Sequence, residues 1–138
     1  MRSHLTHRLI LAVGIALMVA LGLGSKAYSG PAARWVNDYS GDILYEIFWI
    51  WLIGWFWPRC RARSVALGVF CVTTVIEFTQ LIPFPPQWQA HILWRLLLGT
   101  SFSVWDFVYY AVGSFLGGWS LAWLQRRLVQ RTVPAQQP

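Results

Sequence analysis

Residues 77–113 read EFTQLIPFPPQWQAHILWRLLLGTSFSVWDFVYYAVG, an apolar stretch that is interrupted by prolines and by a few polar side chains. The segment 83–89 cannot continue a helix, because proline lacks a backbone donor and disfavours helix in the residue before it. One helix therefore ends before this segment and another begins after it. The acidic, amide and arginine side chains that the flanking apolar parts carry are Glu77, Gln80, Arg95 and Asp106.

The composition indicates an integral membrane protein. Of the 138 residues, 57% are hydrophobic, ten are tryptophan and only five are acidic, which is far from the composition of a soluble domain. A transmembrane helix needs roughly 20 mostly apolar residues. Four such helices would use most of the chain and leave no room for a separate soluble domain.

The hydropathy pattern predicts an all-α fold, a four-span transmembrane helical bundle that forms a single integral membrane domain over residues 1–138. The predicted spans are about 7–24, 41–57, 64–82 and 104–124. A short interfacial or re-entrant helix is predicted at about 91–98, since this stretch is too short to cross a bilayer.

Two segments near the N-terminus need interpretation. The first apolar run resembles a signal peptide, but it is long for one, and we predict a helix that is retained. Residues 25–40 are rich in polar and turn-forming residues, which predicts a loop before the second span.

Basic residues are distributed unevenly between the two sides of this arrangement. Lys26, Arg34 and Arg95 fall on one side. The arginines of the other side are Arg2, Arg8, Arg59, Arg61, Arg63, Arg126, Arg127 and Arg131. The arginine-rich side is expected to be cytoplasmic, which predicts a multi-pass protein of the bacterial inner membrane with both termini in the cytoplasm. The net charge of +6 does not indicate nucleic-acid binding, because no recognition motif accompanies it.

Polar residues converge on the outer side of the predicted bundle. They are Asp42, Glu46, Glu77, Gln80, Arg95 and Asp106. Asp42 and Glu46 lie four residues apart and so share one helix face. Thr73, Glu77 and Gln80 likewise form one polar stripe on an otherwise apolar helix, which predicts that this stripe faces protein and not lipid.

Three interpretations of these residues remain open. In the first, they only hold the fold: Arg95 pairs with Glu77, which lies roughly 8 Å below the end of its span, and Ser103 forms a capping box with Asp106. In the second, they form an outward-facing site that binds a lipid headgroup or a cell-envelope precursor, with Arg95 contacting phosphate or carboxylate. In the third, Glu77 is the acid or base of an intramembrane enzyme or proton relay. No catalytic residue is assigned, because the sequence lacks the usual catalytic motifs.

Gly113 and Gly117 form a small-xxx-small pair that allows another helix to approach the last span closely. That helix belongs to the same chain, to a second copy in a homo-oligomer, or to another membrane protein. An assembly or scaffold protein with a purely structural charged cluster is therefore the alternative function. Membrane lipids and a lipid-linked envelope precursor are the other predicted partners. The sequence predicts no cofactor, and no metal, because its cysteines lack metal-ligand spacing.

Four motifs, in this order and spacing, are informative: GLGSK at 22–26, YSGDILY at 39–45, EFTQL at 77–81 and RLLLGTSFSVWDFVYYAVG at 95–113. Together they resemble a family of small bacterial integral membrane proteins grouped as domain of unknown function 2809, which is itself similar to the VanZ-like proteins. The VanZ-like pattern places its acid, glutamine, arginine and aspartate on Glu77, Gln80, Arg95 and Asp106. It has an asparagine shortly after the aspartate, where this chain has two tyrosines. The resemblance implies a four-helix envelope protein and no specific activity.

Overall fold

Helices account for all regular secondary structure in the part of the chain that the structure describes. The structure, a computed structural model, describes residues 2–82 and 102–132, with side chains for residues 6, 8–82 and 102–127. Its elements are α1 (Arg2–Lys26), α2 (Ala33–Trp35), a π-helical turn (Val36–Ser40), α3 (Gly41–Phe56), α4 (Ala62–Thr79) and α5 (Val104–Thr132). The predicted all-α fold is confirmed.

α3 lies at the centre of the bundle and packs against α1, α4 and α5. Its sequence is apolar nearly all round, which is typical of a buried helix, and none of its residues from Gly41 to Trp55 is exposed. Ile50 in α3 is fully buried together with Leu11 of α1 and Leu121 of α5. The three longer helices therefore surround α3.

Three helices are long and apolar enough to cross a membrane, and they lie at Arg8–Lys26, Ala62–Thr79 and Val104–Arg127. Their mean hydropathies are 2.1, 1.4 and 1.2. Their outer surfaces are apolar, with Leu67 65% and Phe115 70% exposed, which indicates a membrane protein. α3 has 16 residues and is shorter than such a span. The described residues thus contain three helices of membrane-spanning length, whereas four are predicted.

The helix ends differ from the predicted spans. α1 begins at Arg2 instead of 7 and α5 continues to Thr132 instead of 124, because arginine, leucine and glutamine in the tails are good helix formers. α4 ends at Thr79 instead of 82, since the backbone N–H groups of the next three residues bond three positions back and tighten the chain into turns. The predicted interfacial helix at 91–98 lies outside the described residues.

The loop prediction for 25–40 is wrong in its second half, which is helical from Ala33 onward. The Tyr39 ring stacks on the Tyr109 ring of α5, with centroids 4.5 Å apart. The indole N–H of Trp35 donates to the Tyr109 hydroxyl over 3.0 Å. This packing outweighs the low helix propensity of the polar residues there. The result is one continuous helical track that leads into α3.

Trp51 of α3 contacts both α1 and α5. The Trp51 ring lies against Gly14 of α1. A Cβ added to Gly14 would come within 1.9 Å of this ring. Only glycine allows this approach without a shift of the ring. The Trp51 indole N–H donates to Ser120 Oγ of α5 over 2.9 Å. Trp51 therefore packs α3 against both α1 and α5.

Consecutive long helices run in opposite directions, so charged residues collect at two ends of the bundle. At the first end, the Lys26 ammonium donates to the Asn37 carbonyl over 2.5 Å. At the second, the Gln125 amide donates to the carbonyls of Pro58 and Cys60 over 3.3 and 3.0 Å. We call the first the acidic end, defined by Lys26, Asp42, Glu77 and Asp106, and the second the basic end, defined by Arg8, Arg59, Arg61, Arg63, Arg126 and Arg127.

Candidate site at the acidic end

Glu77 is the buried centre of the acidic end, with only 1% of its surface exposed. Its carboxylate accepts three hydrogen bonds, from the Gln80 amide at 2.9 Å, the Ser103 backbone N–H at 2.9 Å and the Tyr110 hydroxyl at 3.1 Å. These bonds satisfy both carboxylate oxygens, as is usual for buried polar groups. Because Ser103 directly precedes α5 and Tyr110 lies in its second turn, Glu77 connects α4 to α5.

Ser103 and Asp106 begin α5, but they do not form the predicted capping box. In that motif the acid three residues after the capping serine accepts the backbone N–H of this serine. Here the Ser103 N–H donates to Glu77, which precedes it by 26 positions. The Asp106 carboxylate interacts with the Ser103 side chain instead. The start of α5 is therefore held by a residue of α4.

Asp42 stands in the first turn of α3, beside charged residues from other helices. It interacts electrostatically with Lys26 at the end of α1, with Glu77 and with Asp106. Lys26 Nζ lies 3.6 Å from the position that a Cβ of Gly41 would take. Asp42 Oδ2 is buried, and no donor among the described residues reaches it. The acidic end thus combines one lysine with three carboxylates.

Glu46 lies one helical turn further along α3 and is fully buried in the bundle. Ser114 of α5 donates a hydrogen bond to Glu46 Oε2, whereas no described donor reaches Oε1. Thr73 of α4 is close to this carboxylate, although its hydroxyl also donates to carbonyls of its own helix. Glu46 therefore belongs to the interior of the bundle and lies beneath the other acids.

Gln80 and Arg95 complete the predicted set. Gln80 donates to Glu77 through Nε2, and its Oε1 is buried without a donor among the described residues. Arg95 lies outside the described residues, so its pairing with Glu77 stays a prediction. The structure brings Asp42, Glu77, Gln80 and Asp106 together at the acidic end.

Gly113 and Gly117 of α5 pack against α3 of the same chain. A Cβ at Gly113 would lie 2.7 Å from Glu46 Cβ and 2.8 Å from the Ile43 carbonyl oxygen. A Cβ at Gly117 would lie 2.8 Å from Ile50 Cδ1. α3 therefore occupies the glycine face, and the scaffold alternative loses the surface on which it was based.

The sequence-based set omits Lys26, Tyr110 and Ser114, which the structure places in or beneath the site. The sequence does indicate Tyr110 and Ser114. They follow Asp106 at intervals of four and so share one face of α5 with it. Lys26 has no comparable signal. It comes near enough to act electrostatically on Asp42 only because α1 packs against α3.

The acidic end is rich in hydrogen-bond acceptors. Asp42 Oδ2 and Gln80 Oε1, together with Glu46 Oε1 beneath them, are buried with no donor among the described residues. In the same part of the chain, no three His, Cys, Asp or Glu residues are placed to hold a metal ion. The arrangement suits a ligand that donates hydrogen bonds through ammonium, amide or hydroxyl groups.

Similarity to proteins of known activity is limited. A sodium/glucose cotransporter from Vibrio parahaemolyticus is 25% identical to this chain over 88 residues. The matched region covers 64% of this chain but only 16% of that relative, so the chain corresponds to a small part of it. No solved structure matches the chain.

A family model matches residues 32–114, which is more than half of the chain. The matched region runs from just before α2 into the first half of α5 and includes the acids of the candidate site. The further similarity to VanZ-like proteins stays a prediction. The chain belongs to the family described as protein of unknown function (DUF2809).

Proposed function

We propose that this protein crosses the membrane four times and that its acidic end binds the polar headgroup of a membrane lipid or of a lipid-linked envelope precursor. The fourth crossing is the continuous helical track from Ala33 to Phe56, made of α2, the π-helical turn and α3. At about 1.5 Å per residue this track is about 36 Å long. The hydrocarbon core of a bilayer is about 30 Å thick, so the track is long enough to cross it.

In this proposal the basic end faces the cytoplasm of a bacterial inner membrane, in accordance with the positive-inside rule. A reporter that works only in the cytoplasm should be active when it is fused after Gln137. The same reporter should be inactive when it is inserted at 27–32, between α1 and α2. The reverse pattern of activity would show that the acidic end is cytoplasmic and would contradict the proposal.

One observation carries the binding proposal: Asp42 Oδ2 and Gln80 Oε1 are buried acceptors that no described donor reaches. A buried polar atom without a partner costs about 1–3 kcal/mol. A ligand that donates hydrogen bonds to these oxygens recovers this free energy. Lys26, which interacts with Asp42, adds a positive charge that can contact a phosphate.

Headgroups of phospholipids and of lipid-linked precursors carry both kinds of group, because they combine a phosphate with ammonium or hydroxyl donors. We assign the donors to Asp42 and Gln80, and the phosphate to Lys26 with Arg95 as a second contact. The acyl chains then anchor the ligand in the bilayer, and the acidic end recognises its polar part.

Asp42→Asn is expected to weaken retention of a co-purifying lipid roughly tenfold, or about 1.4 kcal/mol, because it removes the charge that attracts the donor group. Native mass spectrometry of the gently solubilised protein measures this retention. Asp38→Asn is the matched control, since Asp38 is exposed and lies one turn earlier.

Arg95→Ala should lower lipid retention more than it lowers thermal stability. Equal retention by the wild type and all three variants would contradict the proposal.

A further inference from the structure

An apolar groove of about 440 Å³ lies between α4 and α5. Leu67 and Phe70 of α4 line one wall, and Phe115 and Trp119 of α5 line the other. Leu67, Phe115 and Trp119 are 65%, 70% and 63% exposed. The groove therefore opens to the outside of the bundle, where an apolar surface contacts acyl chains.

Small residues form the floor of this groove, among them Ala66 and Gly118. A Cβ at Gly118 would lie 2.8 Å from Ala66 Cβ, so α4 and α5 approach closely between the larger side chains. Along α5 the groove extends from Ala111 to Arg126, which is about 22 Å at about 1.5 Å per residue. One leaflet of the hydrocarbon core is about 15 Å thick, half of about 30 Å. The groove is long enough for an acyl chain of one leaflet.

Arg63 and Arg126 line the same groove at the basic end of the bundle. Arg63 stands in the first turn of α4 and Arg126 lies towards the end of α5, and both side chains are exposed. None of the described residues that line the groove is acidic. Two guanidinium groups above an apolar channel complement a phosphate, since arginine binds phosphate oxygens through paired donors.

We propose that this groove binds one anionic phospholipid of the leaflet at the basic end, with an acyl chain between α4 and α5 and its phosphate between Arg63 and Arg126. Basic residues at a membrane surface attract anionic lipid, and the groove adds a defined binding position for the acyl chain. The phosphate position lies at the opposite end of the bundle from Asp42 and Glu77. It does not depend on the headgroup site proposed there.

The charged part of the site is tested with the purified full chain in an equimolar mixture of phosphatidylglycerol and phosphatidylcholine. Native mass spectrometry should show preferential retention of phosphatidylglycerol, and Arg63→Gln/Arg126→Gln should reduce this preference roughly tenfold. Arg61→Gln/Arg127→Gln is the matched control, because it removes the same charge from the basic end outside the groove. The Arg127 guanidinium does not line the groove and lies over the Trp123 ring, 5.0 Å from its centroid. The control should keep the wild-type preference.

The apolar part is tested with Ala111→Phe, which places a large side chain at the far end of the groove, at an exposed position. It should weaken retention of long-chain phosphatidylglycerol severalfold and leave a short-chain form unaffected. The proposal is overturned if the wild type shows no preference for the anionic lipid, or if the control loses as much as the groove variant. It is also overturned if Leu67→Cys crosslinks two copies and excludes lipid, which would assign the groove to a second chain.

Discussion

Gly113→Leu should prevent α5 from packing on α3 and lower the free energy of unfolding by about 3 kcal/mol or more, at the upper end of the range for overpacked cores. A Cβ at this position would lie 2.8 Å from the carbonyl oxygen and 3.0 Å from the Cα of Ile43. These are backbone atoms, so no rotamer change relieves the contact. Thermal unfolding in detergent, followed by circular dichroism, measures the loss.

Gly68→Leu is the matched control for this experiment. Gly68 lies within α4, and a Cβ there would meet no atom within 4 Å. Replacing an exposed helical glycine removes its low helix propensity, so Gly68→Leu should leave stability unchanged or raise it by up to about 1 kcal/mol. If Gly113→Leu unfolds at the same temperature as Gly68→Leu, then α3 and α5 do not approach each other as described.

Glu77→Ala should lower the free energy of unfolding by about 3–5 kcal/mol, because each buried donor that loses its partner costs about 1–3 kcal/mol. The substitution removes the acceptor of the Ser103 N–H and of the Tyr110 hydroxyl. Both donors hold the start of α5 against α4. Titration with a denaturing detergent measures the change in stability.

Glu77→Gln is the control for the Glu77→Ala experiment, since it keeps the volume and one acceptor oxygen and should cost less than alanine. The pair Glu77→Ala and Tyr110→Phe gives a further check, because residues in one hydrogen-bond network have non-additive effects. The double variant should lose less stability than the sum of the two single variants. Strict additivity, or a loss below about 1 kcal/mol for Glu77→Ala, would contradict the hydrogen bonds at Glu77.

The burial of the polar stripe of α4 could be predicted from helical spacing in the sequence. Thr73 and Glu77 recur at a helical spacing, and the predicted burial of this face is confirmed, since the two residues are 5% and 1% exposed. Helical periodicity places side chains on a common face wherever the helix lies. The same pattern in α5 links Asp106 to Tyr110, but a tyrosine in an apolar helix carries no sign that its hydroxyl contacts an acid.

Polar local sequence was misleading at 33–40. The sequence VNDYS has low helix propensity and reads as part of a loop, yet the chain is helical there because Trp35 and Tyr39 pack on Tyr109. At Ser103, too, the local sequence pattern predicts the wrong hydrogen bond. Its spacing to Asp106 is that of a local cap, whereas its backbone N–H donates to Glu77.

Hydropathy and helical spacing are properties of neighbouring residues, and they were sufficient to predict an all-α membrane protein with a buried polar face on α4. The partners of the polar groups depend on contacts between residues far apart in the chain. Packing of α1 on α3 brings the charge of Lys26 near Asp42, and packing of α5 on α3 buries Glu46 and occupies the glycine face. Such contacts leave no local pattern, because the two sides of each contact come from different helices.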